Sequence, residues 1–353
     1  MKRVIFTLCF FSLPFFCDAP ARAPNEVLLS ESENAYNPIP NQNGSFIAYV
    51  RTGWGREGGS GGNGRSNLRS EVMVMDTEGN PVTSKPLADA FLSGWTSDGR
   101  NLICYRDYRY LLISVDGETI TRGQIPDTNQ QNIRTERVSY LSDIDSPIWI
   151  QDNAIQTPSE SIAQSPGNRC EMIIPSPDER YIAVTGAQSS FLQVYDRRDN
   201  SWSNLGRVSI HPYAEWDYIK PSWNPWFSDS SRLAFISGSS LVISSPDGRD
   251  KRILADVGDK AGLAVPSPDG EFIAYATFEE RPKSSRQDLK FWGGSTLWII
   301  STARGTRAYP VTEKNQDTTY CLRWLNRDEL VFDRMADENF YGKSRIWKAR
   351  VPR

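Results

Sequence analysis

The stretch "PSPDGEFIAY" at residues 266–275 and the stretch "PNQNGSFIAY" at residues 40–49 carry Pro, Gly, Phe, Ile, Ala and Tyr in one register. "PSPDERYIAV" (175–184) repeats the outline. "WTSDGRNLICY" (95–105), "WFSDSSRLAFI" (226–236) and a degenerate "RWLNRDELVF" (323–332) follow it. Each copy reads as a short strand, a polar turn around Asp or Asn, and then an apolar strand. Pro pre-sets φ, Asp bonds the backbone just ahead of it, and Gly takes the positive φ that closes such a turn.

A second signature follows most copies: "EVMVMDTEG" (71–79), "YLLISVDG" (110–117), "LQVYDRRDN" (192–200), "LVISSPDG" (241–248) and "LWIISTARG" (297–305). This is another strand ending in a tight turn, followed by an extended piece such as "KRILAD" (251–256) or "RAYPVTE" (307–313). Four strands per unit, repeated along a chain, is the pattern of a β-propeller with four-stranded antiparallel blades. The turn residues Asn43, Asp98, Asp178, Asp229, Asp269 and Asp328 mark the blades, and 80 residues separate Asp98 from Asp178. That gap exceeds one blade, and "YLSDIDSPIWI" (140–150) supplies a further turn at Asp143 with Trp149 on the second strand. The spacing favours seven blades. Six blades with a large insertion is the alternative, because the segment after Ile150 lacks a clear third strand.

The last repeat holds only "YCLRWL" (320–325), "ELVFDRM" (329–335) and "SRIWKARV" (344–351), while "EVLLSE" (26–31) has no blade of its own. Pairing the early strand beside "SRIWKARV" completes the blade, closes the ring and covers two open sheet edges. Residues 24–353 then form a single all-β domain with no linker.

The "SPDG…IAY" and "LWII…" motifs resemble those of the Tol-type (TolB-like, WD-like) propeller family of bacterial periplasmic proteins, over roughly residues 36 to 353. The resemblance implies the fold more than the function. Propellers of this kind serve as binding platforms, as accessory domains of peptidases and as oligogalacturonate lyases.

The chain has 353 residues, a net charge of -3 and 24% charged residues, a balance unlike that of a nucleic-acid-binding domain. Lys2 and Arg3 precede an apolar run from Val4 to Phe16, too short to span a bilayer and suited to a signal h-region. Residues 1–21 are therefore read as a signal peptide cleaved after Ala19-Pro20-Ala21. A lipoprotein formed through Cys17 is disfavoured, because Pro14-Phe15-Phe16 lacks small residues. No other stretch is apolar enough to cross a membrane, so a periplasmic or secreted monomer is expected. Cys104, Cys170 and Cys321 remain in the mature chain at wide spacing, the pattern of small buried residues rather than of a disulfide framework or zinc site.

One stretch imitates chemistry. Gly59-Ser60-Gly61-Gly62-Asn63-Gly64 matches the G-x-G-x-x-G spacing, but a strand follows it where a dinucleotide turn needs a helix N-terminus. The segment is a long loop, residues 51–70, between the second and third strands of blade 1. Blades 6 and 7 carry long loops at the same place, 277–295 and 334–345, and ring closure makes the three blades neighbours. Long loops on a rigid scaffold are where binding sites concentrate. The candidate binding residues there are Arg51, Trp54, Arg56, Arg65, Arg69, Arg281, Lys290, Trp292, Phe340, Tyr341 and Arg345. Tyr213 and Trp216 join them from the crossing "HPYAEWDYIKPSWNPW" (211–226) on the same face, where Trp223 and Trp226 read as core. Arginines beside aromatic tips suit carboxylates, phosphates, sugar faces or a peptide.

Catalytic patterns are thin. The literal G-x-S-x-G match, Gly58-Gly59-Ser60-Gly61-Gly62, lies in the same Gly-rich loop, where a strand and not a helix follows, so it forms no elbow. There is no "SxDxGxTW" Asp box, and the single histidine, His211, cannot build a His metal site. It reads as a surface or packing residue. The lyases of this fold use several histidines, which this chain lacks. Glu215, Asp217, Glu279 and Glu280 leave a carboxylate-based glycosidase or lyase, or one using Tyr and Arg, as the alternative. The expectation is a non-enzymatic propeller, with no cofactor and no metal, that binds a protein, peptide or glycan in the cell envelope. Deleting residues 24–33 is expected to lower the melting temperature by several degrees or more. An unchanged melt would place the first strand outside the ring.

Overall fold

The computed structural model describes residues 26–30, 34–54, 68–106, 109–124, 138–166, 170, 172–186, 190–211, 222–280, 292–303, 307–314, 317–335 and 344–352. Among these residues there is no helix, and the strands assemble into seven antiparallel sheets. Blade 1 runs outward from Ala35–Pro40 through Phe46–Trp54 and Leu68–Asp76 to Ala88–Asp89. Blade 2 spans Phe91–Trp95 to Thr119–Gln124, blade 3 Ser139–Leu141 to Ser161–Gln164, and blade 4 Met172–Pro175 to Ser201–Val208. Blade 6 spans Ala261–Pro266 to Tyr309–Pro310.

Blade 5 has three full strands, Leu233–Ser237, Ser240–Ser244 and Lys251–Asp256, and its inner strand is reduced to a bridge between Trp226 and Leu233. The third blade exists as its turn predicts. Residues 142–145 form the turn, Trp149 lies on Ser146–Gln151, and Ala154–Gln156 is the missing third strand. It is only three residues long, which explains its faint pattern.

The recurrent turn works as its residues require. Thr96, Ser176 and Ser267 donate from Oγ to the carboxylates of Asp98, Asp178 and Asp269 at 2.5–2.6 Å. Their hydroxyls then accept the N–H of Asn101, Tyr181 and Phe272 at 3.0–3.1 Å. The next position adopts a left-handed φ, +69° at Gly99 and +70° at Gly270. This position faces the preceding blade: a Cβ on Gly44 would lie 2.4 Å from the Leu325 carbonyl oxygen of blade 7.

The core lies between blades. Val50 and Val72 of blade 1 meet Leu92 and Cys104 of blade 2. Leu141 and Ile148 of blade 3 meet Ile173 and Ile182 of blade 4. Burial pushes the Cys104 thiol up to about 12, and Cys321 is likewise buried.

The ring closes where the early strand predicts. Glu26, Val27 and Leu28 pair with Ala349, Lys348 and Trp347, making Glu26–Leu28 the outer strand of blade 7. Leu29 N–H donates to Ile346 O at 2.9 Å, and the Ser30 hydroxyl accepts Ile346 N–H at 3.1 Å. Glu26 forms an ion pair with Arg334, with both side chains about 95% buried, and the guanidinium lies 5.2 Å from the Trp347 ring. Breaking such a pair strands a buried charge, at a cost of about 3–5 kcal/mol.

Asp333, on the second strand of blade 7, joins the last blade to the first. Its carboxylate accepts Tyr320 N–H at 2.8 Å, Cys321 N–H at 2.9 Å and, from blade 1, Asn37 N–H at 3.1 Å. Burial outweighs these donors and pushes the carboxyl from 3.8 up to about 6. A raised carboxyl means that the folded protein favours the neutral form. The group's stabilisation is therefore complete below about pH 4 and is lost as pH rises through about 6. The rise from 3.8 to about 6 corresponds to on the order of 3 kcal/mol. Between about pH 4 and pH 7.5, the unfolding free energy of the wild type is expected to fall by that order relative to Asp333→Asn. Denaturant titrations at both pH values measure it, and parallel profiles for the two proteins would refute the assignment.

Candidate functional site

The inner strands end around the ring axis, and the last residue of each decides what faces the centre. In blades 2, 5 and 7 that residue is Trp95, Trp226 and Trp324, in blade 3 it is Tyr140 at the matching turn position, and in blades 1, 4 and 6 it is Pro40, Pro175 and Pro266. Each Trp reaches the blade before it. The indole N–H groups of Trp95, Trp226 and Trp324 donate to the carbonyls of Ile39, Ile174 and Val265 at 2.8–3.0 Å. All three acceptors immediately precede a proline. An indole with its N–H satisfied can present its ring to a cavity without burying an unpaired donor.

These residues line a cup of about 370 Å³ to which all seven blades contribute. Gln42, Ser97, Pro177, Ser228 and Pro268 line its mouth, on the face that carries the recurrent turns. The buried Ile39, Ile173, Val265, Ser222 and Trp223 lie deeper.

The floor is a crossing of the ring. Ser222 of blade 5 bridges in parallel to Cys321 of blade 7, passing over blade 6, and its N–H donates to Tyr320 O at 3.2 Å. Arg323 secures the crossing by donating to Ser222 O at 2.9 Å and to Ser222 Oγ at 2.6 Å. Trp223 anchors the same segment to Ala264 O of blade 6 at 2.7 Å. Arg323 and Glu179 are the two charged side chains among the described residues lining the cup.

The face chosen from the sequence lies at the other end of the ring, where second and third strands join. The long loops are shorter than expected, because their hairpins continue pairing. The ladder of blade 1 runs to Trp54 opposite Leu68, that of blade 6 to Glu280 opposite Trp292, and that of blade 7 to Met335 opposite Ser344. Trp54, Arg69, Trp292 and Arg345 therefore stand on strand ends rather than in loops. Arg51 also sits on a strand, paired with Glu71 directly across it, so its guanidinium is engaged. Alternating pairs in an extended hairpin override the Gly-rich appearance of the flanking sequence. Arg56, Arg65, Tyr213, Trp216, Arg281, Lys290, Phe340 and Tyr341 lie outside the described residues.

His211 is a packing residue. It is 3% exposed, stacks on Tyr320 at 4.6 Å between ring centroids and tilts against Phe278 at 4.4 Å. Burial holds its imidazole down at about 3, so it stays neutral over the physiological range. Trp223 and Trp226 are core, as their lead into a strand suggests, yet each also lines the cup. Among the described residues no cluster of His, Cys, Asp and Glu has metal-binding geometry. The cup itself is absent from the sequence reading. Its signal in the sequence is the aromatic or proline that opens each recurrent turn, as in "WTSD", "WFSD" and "PSPD".

No family model matches the chain, and no curated protein matches it in sequence. Solved structures do. A chain from a crystal structure of the mitotic checkpoint complex is 13% identical, covering 99% of this chain and 100% of that one at a TM-score of 0.55. A chain from a crystal structure of a eukaryotic initiation factor is 14% identical, covering 91% of this chain and 86% of that one at 0.44. Hydrazine synthase of Kuenenia stuttgartiensis is 12% identical, covering 69% of this chain and 75% of that one at 0.45. At 13% identity the checkpoint-complex likeness speaks to the fold alone, a WD-like seven-bladed β-propeller.

Proposed function

We propose that this chain is an exported, non-enzymatic propeller of the Tol type that binds a protein, peptide or glycan partner in the cell envelope. The observation that carries this reading is the cup, built by all seven blades and faced with Trp95, Tyr140, Trp226 and Trp324. A concave, mostly apolar site with a few polar groups is the usual form of a ligand pocket. Trp95, half-buried with its indole N–H satisfied, suits stacking against a side chain or a sugar ring, while Tyr140, Trp226 and Trp324 are buried in the wall. Glycosidase chemistry works with a pair of carboxylates. The described wall of the cup carries one, Glu179, which favours binding over that chemistry.

A second reading places the partner on the opposite face. What supports it is the reach of the hairpins: the paired strands of blade 6 are nine and ten residues long, and those of blade 1 are nine each. The second and third strands of blade 2, by comparison, are six each. Blades 6, 7 and 1 are neighbours in the ring, so their projecting hairpins share one sector.

The test starts with the mature protein on a glycan array and in titrations with envelope extract fractions, to obtain a saturable ligand. The double variant Gln42→Trp/Ser228→Trp fills the mouth and is expected to weaken that ligand at least about tenfold, roughly 1.4 kcal/mol. The triple variant Arg56→Ala/Arg65→Ala/Arg69→Ala is expected to bind normally. The reverse pattern would move the site to the hairpin face. Turnover of any glycan on the array would replace the binding reading with the enzymatic one.

A further inference from the structure

Glu179 occupies a position that three other blades fill with glycine. In blades 1, 2 and 6 the matching turn residue is Gly44, Gly99 or Gly270, with φ between +68° and +70°. Glu179 holds φ +60° there, a conformation that L side chains rarely adopt. Part of the reason is structural. Its Oε2 accepts the backbone N–H of Ser142 at 2.7 Å and of Asp143 at 3.2 Å, latching blade 4 to blade 3. Ser230, with φ +61°, does the same work in blade 5, where its hydroxyl accepts Asp178 N–H at 3.0 Å.

A serine therefore suffices for the latch. The carboxylate brings something more. Glu179 is 6% exposed and lines the cup, and its second oxygen, Oε1, is buried with no hydrogen-bond partner. The cation next to it is spent elsewhere. Arg197 donates to the main-chain oxygen of Glu179 at 2.8 Å and to Asp143 Oδ2 at 2.9 Å. Arg323, the other charged residue of the lining, is committed to Ser222 and Leu322 at the floor. A buried carboxylate oxygen without a partner, on a residue that lines a cavity, calls for a donor, and the cavity is where a ligand can bring one. An anionic acceptor prefers a charged one. The aromatic faces of the cup add attraction for a cation and room for an alkyl stem.

We infer that Glu179 is the anchor of a subsite in the cup for a primary alkylammonium group, as carried by a lysine side chain or by a free aliphatic amine. This rests on the cup being a binding site, and the two ideas can fail separately. The probes are the capped peptides Ac-Gly-Lys-Gly-NH2, Ac-Gly-Lys(acetyl)-Gly-NH2 and Ac-Gly-Leu-Gly-NH2, with n-butylamine as the free amine. Binding is followed by ligand-observed NMR and by the fluorescence of the cup tryptophans.

The wild type is expected to bind the lysine peptide at least about tenfold more tightly than the acetyl-lysine and leucine peptides. In Glu179→Gln the amide oxygen can keep the latch while an NH2 replaces the open oxygen, so the preference is expected to vanish. The melting temperature of the variant reports whether the latch survives. If the variant fails to fold, the acetyl-lysine comparison in the wild type decides alone. Binding of n-butylamine as tight as that of the lysine peptide identifies a free amine as the sufficient ligand. A lysine peptide bound no better than its neutral counterparts overturns the subsite and leaves the cup reading standing. No binding by any probe also overturns the subsite, while the filled-mouth variant judges the cup independently.

Discussion

Three facing residue pairs of one antiparallel ladder, Glu26 with Ala349, Val27 with Lys348 and Leu28 with Trp347, hold the beginning of the described chain against its end. Sheets that radiate from an axis pack only against two neighbours, so an unclosed ring would expose one apolar face on its first blade and another on its last. The pairing removes both at once. It places Leu29 among Ile47, Met75, Leu325 and Ile346, and it brings Glu26 to Arg334 in a site that excludes water. Lys348 then reaches Thr77 O of blade 1 at 2.9 Å, and Asp333 reaches Asn37. The cup depends on this closure, because its wall passes without interruption from Trp324 of blade 7 to Pro40 of blade 1.

Most of the ring was legible as text. A polar turn around Asp or Asn, opened by a proline or an aromatic residue and followed by an apolar strand, can be recognised by eye, and seven such turns mark seven blades even where the strands between them are short. Asp143 was enough to reveal blade 3, whose third strand has only Ala154, Ile155 and Gln156 to show for itself. The orphan strand near Val27 announced its partner, because an open edge is a physical demand.

The binding geometry was harder to read, for reasons rooted in how information is stored. Arg51 and Glu71 are twenty positions apart, and their ion pair follows only from the register of a hairpin that the Gly-rich segment conceals. The indole-to-carbonyl bonds join neighbouring blades, and nothing local to Trp226 names Ile174 as its acceptor. Glu179 looks like an ordinary tolerated change from "PSPDG" to "PSPDE". Its meaning appears only when the adjacent blade brings the N–H groups of Ser142 and Asp143 to one of its oxygens and none to the other.

The crossing of Ser222 to Cys321 has a consequence for how the molecule comes apart. Each blade of a propeller ordinarily touches only the blades beside it, so one sheet can loosen without asking permission of the rest of the ring. Here blades 5 and 7 are joined past blade 6 by the bridge itself and by Arg323, and the Trp223 bond to Ala264 ties blade 6 to the same segment. Blade 6 sits inside a bracket. Its inner strand moves only if the Trp223 bond to Ala264, or the crossing that carries Trp223, lets go, which ties three sheets into one cooperative unit of opening. Amide protons of Ala261 to Val265 should therefore exchange with solvent as a group with those of the flanking inner strands, on a slower clock than the same strand in blades 2 or 3, where no tie spans the centre among the described residues.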